Sequence, residues 1–322
     1  ITGISGQDGS YLAEHLLNLD YEVHGSVRRH SLARGQNMRI AHIGDKITTH
    51  YCDITDLSSL NELFNSIKPN EIYNLAAQSH VRVSYDIPHF TIQTNACGAF
   101  NVLEAYRQSA PEARFYQASS SEMFGTSIDA DGFQRETTPF TPVSPYGCSK
   151  VFAHHLTHNY RNAYDLHASC GILFNHESPR RGENFVTNKV CRAAARIKLG
   201  TQDVLELGNM DAYRDWGHSK DYVKAMHLIL QHDTPGEWVV SMGENHSVRE
   251  MCEHVFTYLG LDYRDYVKQN PKFLRPEELP FLKGDCSKLK KEIGWTPDYT
   301  FSSLMEEMVD YWLTEEKSSS PS

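Results

Sequence analysis

The feature that most constrains this chain is a glycine-rich turn close to its start. Residues 3–9 read GISGQDG, a GxxGxxG pattern that follows the strand-like pair Ile1 and Thr2 and opens a helix-like segment. Glycines at such a junction permit a tight turn and let backbone N–H groups approach a pyrophosphate at the helix N-terminus. A purely structural turn is compatible with the same residues. The strand–turn–helix context favours a dinucleotide site.

The segments that follow alternate between helix-like and strand-like patterns up to about residue 175. Helices are predicted at 11–19, 57–67, 91–108 and 144–164, and strands at 21–27, 71–77, 114–119 and 166–174. Because such alternation is typical of crossover connections between parallel strands, it predicts an α/β fold. We expect a doubly wound, mostly parallel sheet of the Rossmann type.

The rhythm changes after residue 175, where loops lengthen and short strands mix with helices. Ser247 and Glu250 have capping-box spacing and predict a helix over 246–260, and a last helix is predicted at 301–314. We therefore expect a nucleotide-binding domain over 1–175, to which the chain returns around 209–242. Residues 176–322 are expected to form mainly a smaller C-terminal α/β substrate lobe.

Composition excludes several classes of function. The chain has a formal net charge of −10, so we expect no nucleic-acid partner, and no apolar run is long enough to span a membrane. Its seven cysteines include no CxxC pair and its 17 histidines no HExxH cluster, which predicts free thiols, no metal site and a reducing, cytoplasmic location. The chain begins at Ile1 and not at Met, so we expect residues to precede it.

The end of the second predicted strand indicates which dinucleotide binds. Dinucleotides without a 2′-phosphate usually meet an acidic residue about 20 residues after the glycines. Here the strand ends at Arg28 and Arg29, whose guanidinium groups suit a phosphate better than a hydroxyl. A solvated basic turn is the alternative. The pair favours NADP over NAD, with Asp53 on the adenine side and LAAQS (75–79) along the sheet edge.

Two further stretches carry potential acid/base groups. Tyr146 and Lys150 in YGCSK have i, i+4 spacing on one helical face, where an ammonium group should lower the pKa of a phenol from about 10. ASSSE (118–122) lies at the carboxyl end of a predicted parallel strand, where ligands bind. Ser120 could hydrogen-bond a substrate oxygen. Glu122 adds a carboxylate that can deprotonate a carbon acid or help a hydroxyl leave as water.

Several functions are compatible with the YxxxK pair, and they differ in whether they need a carboxylate such as Glu122. A keto-sugar reductase or sugar dehydrogenase needs the YxxxK pair but not Glu122. A C4 epimerase is likewise redox-neutral and does not need it. A non-catalytic NADP-binding sensor would keep the glycine turn but should lose Tyr146 or Lys150, and both are present.

Longer blocks of sequence show a resemblance to a known family. GISGQDGSYLAEHLL, RRHS, NLAAQSHV, ASSSEMFG, SPYGCSK, LFNHESPRRGENFVTNK and RDWGHSKDYV resemble the GDP-mannose 4,6-dehydratases, which are extended short-chain dehydrogenase/reductases. The likeness runs from Gly3 to about Trp295. RRHS and NHESPRRG are its most specific blocks, because related sugar-nucleotide enzymes do not generally share them.

The resemblance implies an activity and a set of roles. GDP-mannose would lose water to give GDP-4-keto-6-deoxymannose, with the hydride held temporarily by NADP. The implied catalytic residues are Ser120, Glu122, Tyr146 and Lys150. The implied cofactor-binding residues are Gly3, Ile4, Ser5, Gly6, Gln7, Asp8, Arg28, Arg29, His30, Ser31, Asp53, Ile54, Leu75, Ala76, Ala77, Gln78, Ser79, Phe90, Lys150, His176 and Arg181. The implied substrate-binding residues are Asn175, Val186, Lys189, Arg214, Arg275 and Glu278.

The chain departs from the family pattern in a few places. Ser120 stands where the family usually has threonine, which preserves the hydroxyl group. Phe90 stands where a tyrosine usually contacts the cofactor, which removes a phenol hydrogen bond. Segment 128–134, IDADGFQ, is slightly long and predicts a different surface loop. The resemblance also implies a homodimer or homotetramer, in which the basic loop 30–39 could reach a neighbouring subunit.

Overall fold

The computed structural model describes residues 1–29, 37–274 and 276–319. The helices are α1 Gln7–Leu17, α2 Leu57–Ile67, α3 Val81–Asp86, α4 Pro88–Ile92, α5 Gly98–Ser109, α6 Pro145–Tyr164, α7 Val186–Lys198, α8 Ser219–Gln231, α9 Val248–Tyr258, α10 Ser287–Ile293 and α11 Phe301–Ser319. The strands are β1 Val23–Val27, β2 Ile47–Tyr51, β3 Glu71–Asn74, β4 Arg114–Ser120, β5 Ala168–Leu173, β6 Asn175–Glu177, β7 Leu205–Leu207, β8 Tyr213–Arg214, β9 Trp216–His218, β10 Glu237–Val240, β11 His246–Ser247 and β12 Val267–Gln269.

One parallel sheet organises the first part of the chain. Thr2 bridges Ser26 of β1 and Asn74 of β3, so the spatial order is β2–β1–Thr2–β3–β4–β5–β10. The chain starts in the middle, builds outward to β2, and then crosses to β3 and builds the other half. This confirms the predicted doubly wound parallel sheet. Ligands of such sheets bind beyond the carboxyl ends of the strands at the reversal point, here beside Thr2 and β3.

Both faces of the sheet are covered by helices. Phe115 and Tyr116 are neighbours in β4 and point to opposite faces, as successive strand residues do. Tyr116 joins a buried cluster with residues of α1 and α8, including Leu12 and Met226. Phe115 joins a second cluster with residues of α2 and α5, including Leu103. The near-continuous burial of β4 and β5 is typical of strands that are buried on both faces.

The predicted helix boundaries vary in accuracy. Helix α2 spans the predicted 57–67, because Asp56 accepts hydrogen bonds from the N–H groups of Ser58 and Ser59 and Lys68 ends the helix in a left-handed conformation. The helix predicted at 91–108 is present, and the helical segment runs without a break over 88–109. It differs from the prediction in containing a π-helical turn, Gln93–Cys97, between α4 and α5.

The C-terminal lobe has a core of its own. Helices α7, α9 and α11 contribute Val190, Val255 and Leu304 to one buried cluster. The predicted capping box is present at the start of α9, where Ser247 and Glu250 exchange hydrogen bonds of 3.0 and 2.6 Å. The sequence patterns did not reveal α7 and α8. Across the described ranges, no helix is both long and apolar enough to cross a membrane.

Candidate active site

A cleft of about 500 Å³ lies between the carboxyl ends of the parallel strands and the C-terminal lobe. The four residues with expected catalytic roles all line it, as do many of those expected to bind ligands. These lining residues are Asp8, Leu75, Ala77, Ser79, Ser120, Glu122, Tyr146, Lys150, Asn175, His176, Arg181, Val186, Lys189, Arg214 and Glu278. The structure therefore brings together residues that are up to 270 positions apart in the chain, as from Asp8 to Glu278.

Strand β4 and the short turn after it carry two of the four. Ser120 is the last residue of β4, and its Oγ accepts a hydrogen bond of 3.2 Å from the backbone N–H of Glu122. This bond caps a 3₁₀ turn, Ser121–Met123, which follows the strand directly. The turn brings the Glu122 side chain, which is only 7% exposed, into the cleft. The Ser-rich stretch is therefore the buried end of a strand followed by a capped turn.

Helix α6 carries the other two. It begins after Ser144, whose hydroxyl oxygen accepts a hydrogen bond from the N–H of Gly147. A Cβ atom at Gly147 would lie 2.8 Å from the carbonyl oxygen of Glu122, so only glycine lets the helix approach the turn this closely. Tyr146 and Lys150 are thereby both buried beside β4. Nothing in the YxxxK spacing indicated the importance of this glycine.

The electrostatics of Tyr146 differ from the expectation drawn from sequence. Burial raises the pKa of Tyr146 to about 12, although the hydrogen bond with Ser120 opposes this shift. The ammonium group of Lys150 instead donates a hydrogen bond of 2.9 Å to the carbonyl oxygen of Ala118. Burial lowers the pKa of Lys150 itself to about 8. We expected Lys150 to lower the pKa of Tyr146. For the protein alone this is wrong, because the removal of both groups from water affects their pKa values more than their proximity does.

The glycine turn has the geometry of a pyrophosphate cradle. Gly3 has a φ of +70° and lies against the backbone of Ala76, where a Cβ would be 3.0 Å from Cα. At the third glycine, Gly9, a Cβ would lie 2.4 Å from the carbonyl oxygen of Gly3. Gly6 caps α1 without a side chain, which keeps the helix N-terminus open to a ligand. Ile4 is fully buried and Ser5 partly buried in the same turn.

Polar contacts join this turn to the strand β6 region. The Gln7 amide donates to the carbonyl oxygen of His176 at 3.1 Å and accepts from the Ser178 hydroxyl at 2.8 Å. Asp8 lies 2.7 Å from Nε2 of His176. Burial by itself would raise the pKa of Asp8, but the charge of His176 and its hydrogen bond, with Arg181, bring it below its usual value. These residues form a buried ionic group beside the turn.

The residues expected to bind the 2′-phosphate are only partly described. Arg28 and Arg29 are exposed at the end of β1, and the guanidinium carbon of Arg28 lies 5.7 Å from the ring centre of Phe90. Phe90 is itself 42% exposed. Neither Arg28 nor Phe90 lines the main cleft, so the two extend the candidate site outward. His30 and Ser31 lie outside the described residues.

The residues expected near the adenine are held by local contacts. Asp53 accepts hydrogen bonds of 2.9 Å from both the N–H and the hydroxyl of Thr55. The side chain of Ile54 is 3% exposed and packs where Gly98 has no Cβ. Its carbonyl oxygen accepts a hydrogen bond of 3.0 Å from Asn101. The Ile54 side chain therefore belongs to the core and does not itself face the candidate site.

The segment Leu75–Ser79 is fixed by buried polar groups. The Thr2 hydroxyl oxygen accepts hydrogen bonds of 3.1 Å from the N–H groups of Leu75 and Ala76. Asn95, in the π-helical turn, accepts from the N–H of Gln78 at 2.8 Å and donates to its carbonyl oxygen at 2.9 Å. Single-turn π-helical insertions are frequently found at functional sites. Here the insertion brings Asn95 to the strand end.

On the substrate side, Arg214 is the more buried of the two predicted cationic residues that the structure describes. It is 5% exposed, donates to the carbonyl oxygens of Tyr213 and Leu279, and lies 2.8 Å from a carboxylate oxygen of Glu278. Lys189 donates to the Glu206 carbonyl oxygen at 2.6 Å, and burial lowers its pKa.

Asn175 and Val186 complete the predicted substrate group in the cleft, at the starts of β6 and α7. Arg275 lies outside the described residues. Arg181 packs its guanidinium carbon 3.6 Å from the ring centre of Phe185 and lies 3.0 Å from the Glu177 carboxylate.

Some residues that line the cleft were missed by sequence reasoning. Phe273 is 42% exposed at the cleft and has the ammonium groups of Lys189 and Lys272 4.0 and 4.7 Å from its ring centre. On the opposite wall, the rings of His80 and Phe185 lie 4.9 Å apart. The available signals were the stretch KFLR and the histidine after LAAQS, and neither is specific alone.

Comparisons with known proteins show the family and the fold of this chain. A family model described as GDP-mannose 4,6 dehydratase matches residues 1–308. The GDP-mannose 4,6 dehydratase 2 of Arabidopsis thaliana is 51% identical over 320 residues, which cover 96% of this chain and 85% of the relative. The chain belongs to the GDP-mannose 4,6-dehydratase family. The human member is 46% identical over 334 residues, covering 96% of this chain and 89% of the relative.

GDP-mannose 4,6-dehydratases are lyases built on the short-chain dehydrogenase/reductase fold, and solved structures of that fold resemble this chain throughout. A dTDP-glucose 4,6-dehydratase of Bacillus anthracis in complex with NAD has a TM-score of 0.85 at 23% identity, covering 98% of this chain and 96% of that one. The RMD protein of Pseudomonas aeruginosa complexed with NADPH has a TM-score of 0.80 at 24% identity, covering 97% of each chain. At these identities the likeness establishes the fold.

Proposed function

We propose that this member of the GDP-mannose 4,6-dehydratase family converts GDP-mannose to GDP-4-keto-6-deoxymannose by internal hydride transfer through bound NADP and loss of water. The observation that carries the proposal is the buried Glu122 carboxylate in the cleft that Ser120, Tyr146 and Lys150 also line. Oxidation of an alcohol needs a group like Tyr146. A second acid/base group is needed only if a carbon acid is deprotonated or a hydroxyl expelled.

The first proton transfer is assigned to Tyr146. Its phenolate oxygen would accept the proton of the sugar O4 hydroxyl, and the Ser120 hydroxyl would hold O4 in place. The hydrogen bond between Ser120 and Tyr146 favours the phenolate, in opposition to burial. Lys150 is buried within hydrogen-bonding reach of the Ala118 carbonyl and adds positive charge next to the phenol.

The second proton transfer is assigned to Glu122. The nicotinamide cofactor, when bound, would supply reversible hydride transfer, from C4 and back to C6 of the sugar. A keto group at C4 acidifies the C5–H bond, and Glu122 would accept that proton. The same carboxyl group would then protonate the departing C6 hydroxyl, which leaves as water. A solvent proton, balanced by the O4 proton that Tyr146 releases to solvent, then joins C5 as the hydride reaches C6, so the net reaction is loss of one water molecule.

The fit of the cofactor rests on the glycine turn and the arginines. The open helix N-terminus at Gly6 and the close approach of Gly3 to Ala76 suit a pyrophosphate. Asp53 is near the proposed adenine position, and Arg28 and Arg29 are the proposed partners of the 2′-phosphate. Paired guanidinium groups recognise phosphate by charge and geometry, which favours NADP over NAD.

The substrate is proposed to occupy the wall made by the C-terminal lobe. Asn175, Val186, Lys189, Arg214, Arg275 and Glu278 are the proposed contacts. Arg214 and Lys189 place positive charge where a diphosphate would bind. The half-exposed ring of Phe273, with two ammonium groups beside it, suits a planar, anionic nucleotide. Residues 1–175 and 176–322 would then act mainly as cofactor and substrate lobes, with α8 and β10 returning to the first.

We also propose that the protein is a homodimer or a homotetramer. Ile92, Phe100 and Phe152 lie on the adjacent helices α4, α5 and α6 and are 43%, 40% and 48% exposed. An apolar surface of this kind on three helices suits a symmetric contact with a second copy. The cytoplasmic location stays a prediction from composition.

The reaction is tested with GDP-mannose and NADP⁺ in deuterium oxide. We expect a 4-keto-6-deoxy product that carries deuterium at C5. Glu122→Gln should lower kcat by about 10² to 10⁴, the range of a lost general acid–base group, while Glu253→Gln on the exposed surface of α9 should not. Product that keeps its C6 hydroxyl, or full turnover by Glu122→Gln, would contradict the proposal and point to an epimerase or a net oxidoreductase.

A further inference from the structure

Three consecutive residues of β4 contact three residues of α6. The carbonyl oxygen of residue 118 accepts a hydrogen bond of 2.9 Å from Lys150, and the Ser120 hydroxyl interacts with the phenol of Tyr146, opposing the rise in its pKa that burial causes. Ser119, which stands between these two residues in the strand, has its hydroxyl oxygen 2.9 Å from Nδ1 of His154, one helical turn beyond Lys150. The first two contacts involve the proposed acid/base groups. The contact of Ser119 with His154 involves two residues to which the sequence patterns assigned no role.

The bond between Ser119 and His154 is shielded from solvent. Each residue is 4% exposed, and the ring of Phe140 lies 5.1 Å from that of His154 in an edge-on arrangement. Burial lowers the pKa of His154 to about 4, so its imidazole is neutral near neutral pH. A serine hydroxyl both donates and accepts, so the bond forms with either tautomer of the ring.

We propose that Ser119 and His154 are positioning residues, which hold the strand that carries Ser120 and Glu122 in register with the helix that carries Tyr146 and Lys150. This inference rests on the proposed function. His154 lies one helical turn beyond Lys150 and two turns beyond Tyr146. The bond therefore joins β4 to α6 at a point two helical turns beyond the contact between Ser120 and Tyr146.

The physical consequence concerns the hydrogen bond between Ser120 and Tyr146. That bond opposes the rise in the pKa of Tyr146 that burial causes. Hydrogen bonds weaken steeply as distance and angle depart from their optimum. If the bond between Ser119 and His154 is lost and β4 shifts, the Tyr146 phenolate loses part of this stabilisation. Less phenolate then forms at a given pH. A misplacement of about 1 Å can cost about 10²-fold in rate.

A structural role alone makes a different prediction. Buried polar groups are normally paired, and the bond could serve only to satisfy a buried hydroxyl and a buried ring nitrogen. Its loss would then lower the free energy of unfolding without changing how kcat depends on pH. The two explanations are therefore separated by the pH profile and not by stability.

The experiment compares matched variants of the NADP-loaded protein. Ser119→Ala removes one oxygen atom, and His154→Leu removes the ring nitrogens. His154→Asn keeps a polar atom near the position of Nδ1 and should rescue. Thr157→Val is the control: its buried hydroxyl donates to the carbonyl oxygen of Ala153 within α6 at 2.8 Å and interacts with the Cys170 thiol of β5, so its loss leaves the contacts between β4 and α6 in place. Measurements are kcat and KM for GDP-mannose across pH, together with thermal unfolding.

We expect Ser119→Ala and His154→Leu each to lower kcat about tenfold, within the range for a displaced catalytic group, with KM little changed. The acidic limb of the kcat profile should move to higher pH in both variants. The double variant should be no slower than the slower single one, because both lose the same bond. His154→Asn should recover most of the rate, and Thr157→Val should behave as wild type.

An unchanged kcat profile in Ser119→Ala, whatever its stability, overturns the proposal, as does equal loss in Thr157→Val. If His154→Leu does not fold, Ser119→Ala and His154→Asn still decide. ¹³C NMR of the tyrosine Cζ atoms, assigned with Tyr146→Phe, reports the state of the phenol without turnover. An unaltered Tyr146 signal in Ser119→Ala counts against positioning, whereas absence of product from the wild type counts against the proposed function.

Discussion

Nε2 of His176 lies 2.7 Å from a carboxylate oxygen of Asp8, although 168 residues separate the two in the chain. Nδ1 of the same ring lies 2.7 Å from the carbonyl oxygen of Phe174, so both ring nitrogens face acceptors. Burial by itself would lower the pKa of His176, but the Asp8 carboxylate and its hydrogen bond raise it above the usual value. A buried ion pair therefore joins the glycine turn to the wall of the cleft.

This pair should give stability a characteristic pH dependence. The contribution of His176 is present below about pH 6.5 and is lost as pH rises through its raised pKa. The contribution of Asp8 is present above about pH 4 and is lost as pH falls through its lowered pKa. Urea unfolding of His176→Asn should show a deficit of about 3 to 5 kcal/mol that is largest between these limits. The exposed His89→Asn is the control, and a deficit that is independent of pH would contradict this account.

The sequence patterns predicted local elements better than contacts. The cap Asp56 and the helix-ending Lys68 are local, and α2 was predicted to the residue. In the π-helical turn, Asn95 hydrogen-bonds to the backbone of Gln78, a contact that no local periodicity encodes. The helix predicted at 91–108 therefore lacked this turn.

Sequence patterns predicted which residues form the candidate site better than they predicted the electrostatics of those residues. Ser120, Glu122, Tyr146 and Lys150 all line the cleft, as the strand ends and the i, i+4 spacing indicated. The rise in the pKa of Tyr146 could not be predicted, because desolvation depends on the packing of α6 against β4.

The position of Arg28 predicts the cofactor preference. Arg28 directly follows β1, and its guanidinium group lies beside the ring of Phe90, where a 2′-phosphate is proposed to bind. Arg28→Gln should weaken binding of NADP⁺ by about 10- to 100-fold, since hydrogen bonds to charged groups contribute about 1.5 to 3 kcal/mol. Binding of NAD⁺ should change little. Calorimetric titration of both dinucleotides measures this, with the exposed Arg264→Gln as control. An equal loss for both dinucleotides would exclude a 2′-phosphate contact.

The third glycine of the turn predicts a steric effect. A Cβ at Gly9 would lie 2.4 Å from the Gly3 carbonyl oxygen and 2.7 Å from Cα of Ile4, and backbone atoms cannot move aside as a flexible side chain can. Gly9→Ala should therefore push α1 away from the turn, cost about 1 to 3 kcal/mol of stability and weaken dinucleotide binding. Gly44→Ala is the matched control, because its Cβ would meet nothing closer than 3.4 Å. Equal melting temperatures and dinucleotide affinities for the two variants would show that the turn adapts.

The burial of Asp215 predicts an unusual pH dependence of stability. Its contribution to the free energy of unfolding should change with pH in the direction opposite to that of most carboxylates. It is fully buried and accepts hydrogen bonds from the N–H groups of Met242 and Gly243 at 2.7 and 3.0 Å. Burial raises its pKa to about 7, despite these bonds. Between about pH 4 and pH 7 the folded chain then binds more protons at this site than the unfolded chain, so this group makes the free energy of unfolding fall as pH rises. Asp215→Asn should remove that slope, and the difference between wild type and variant in urea unfolding should drift steadily across this range. The exposed Asp262→Asn should show no such drift, and a flat difference for Asp215→Asn would mean that its three backbone donors hold the carboxylate ionised throughout.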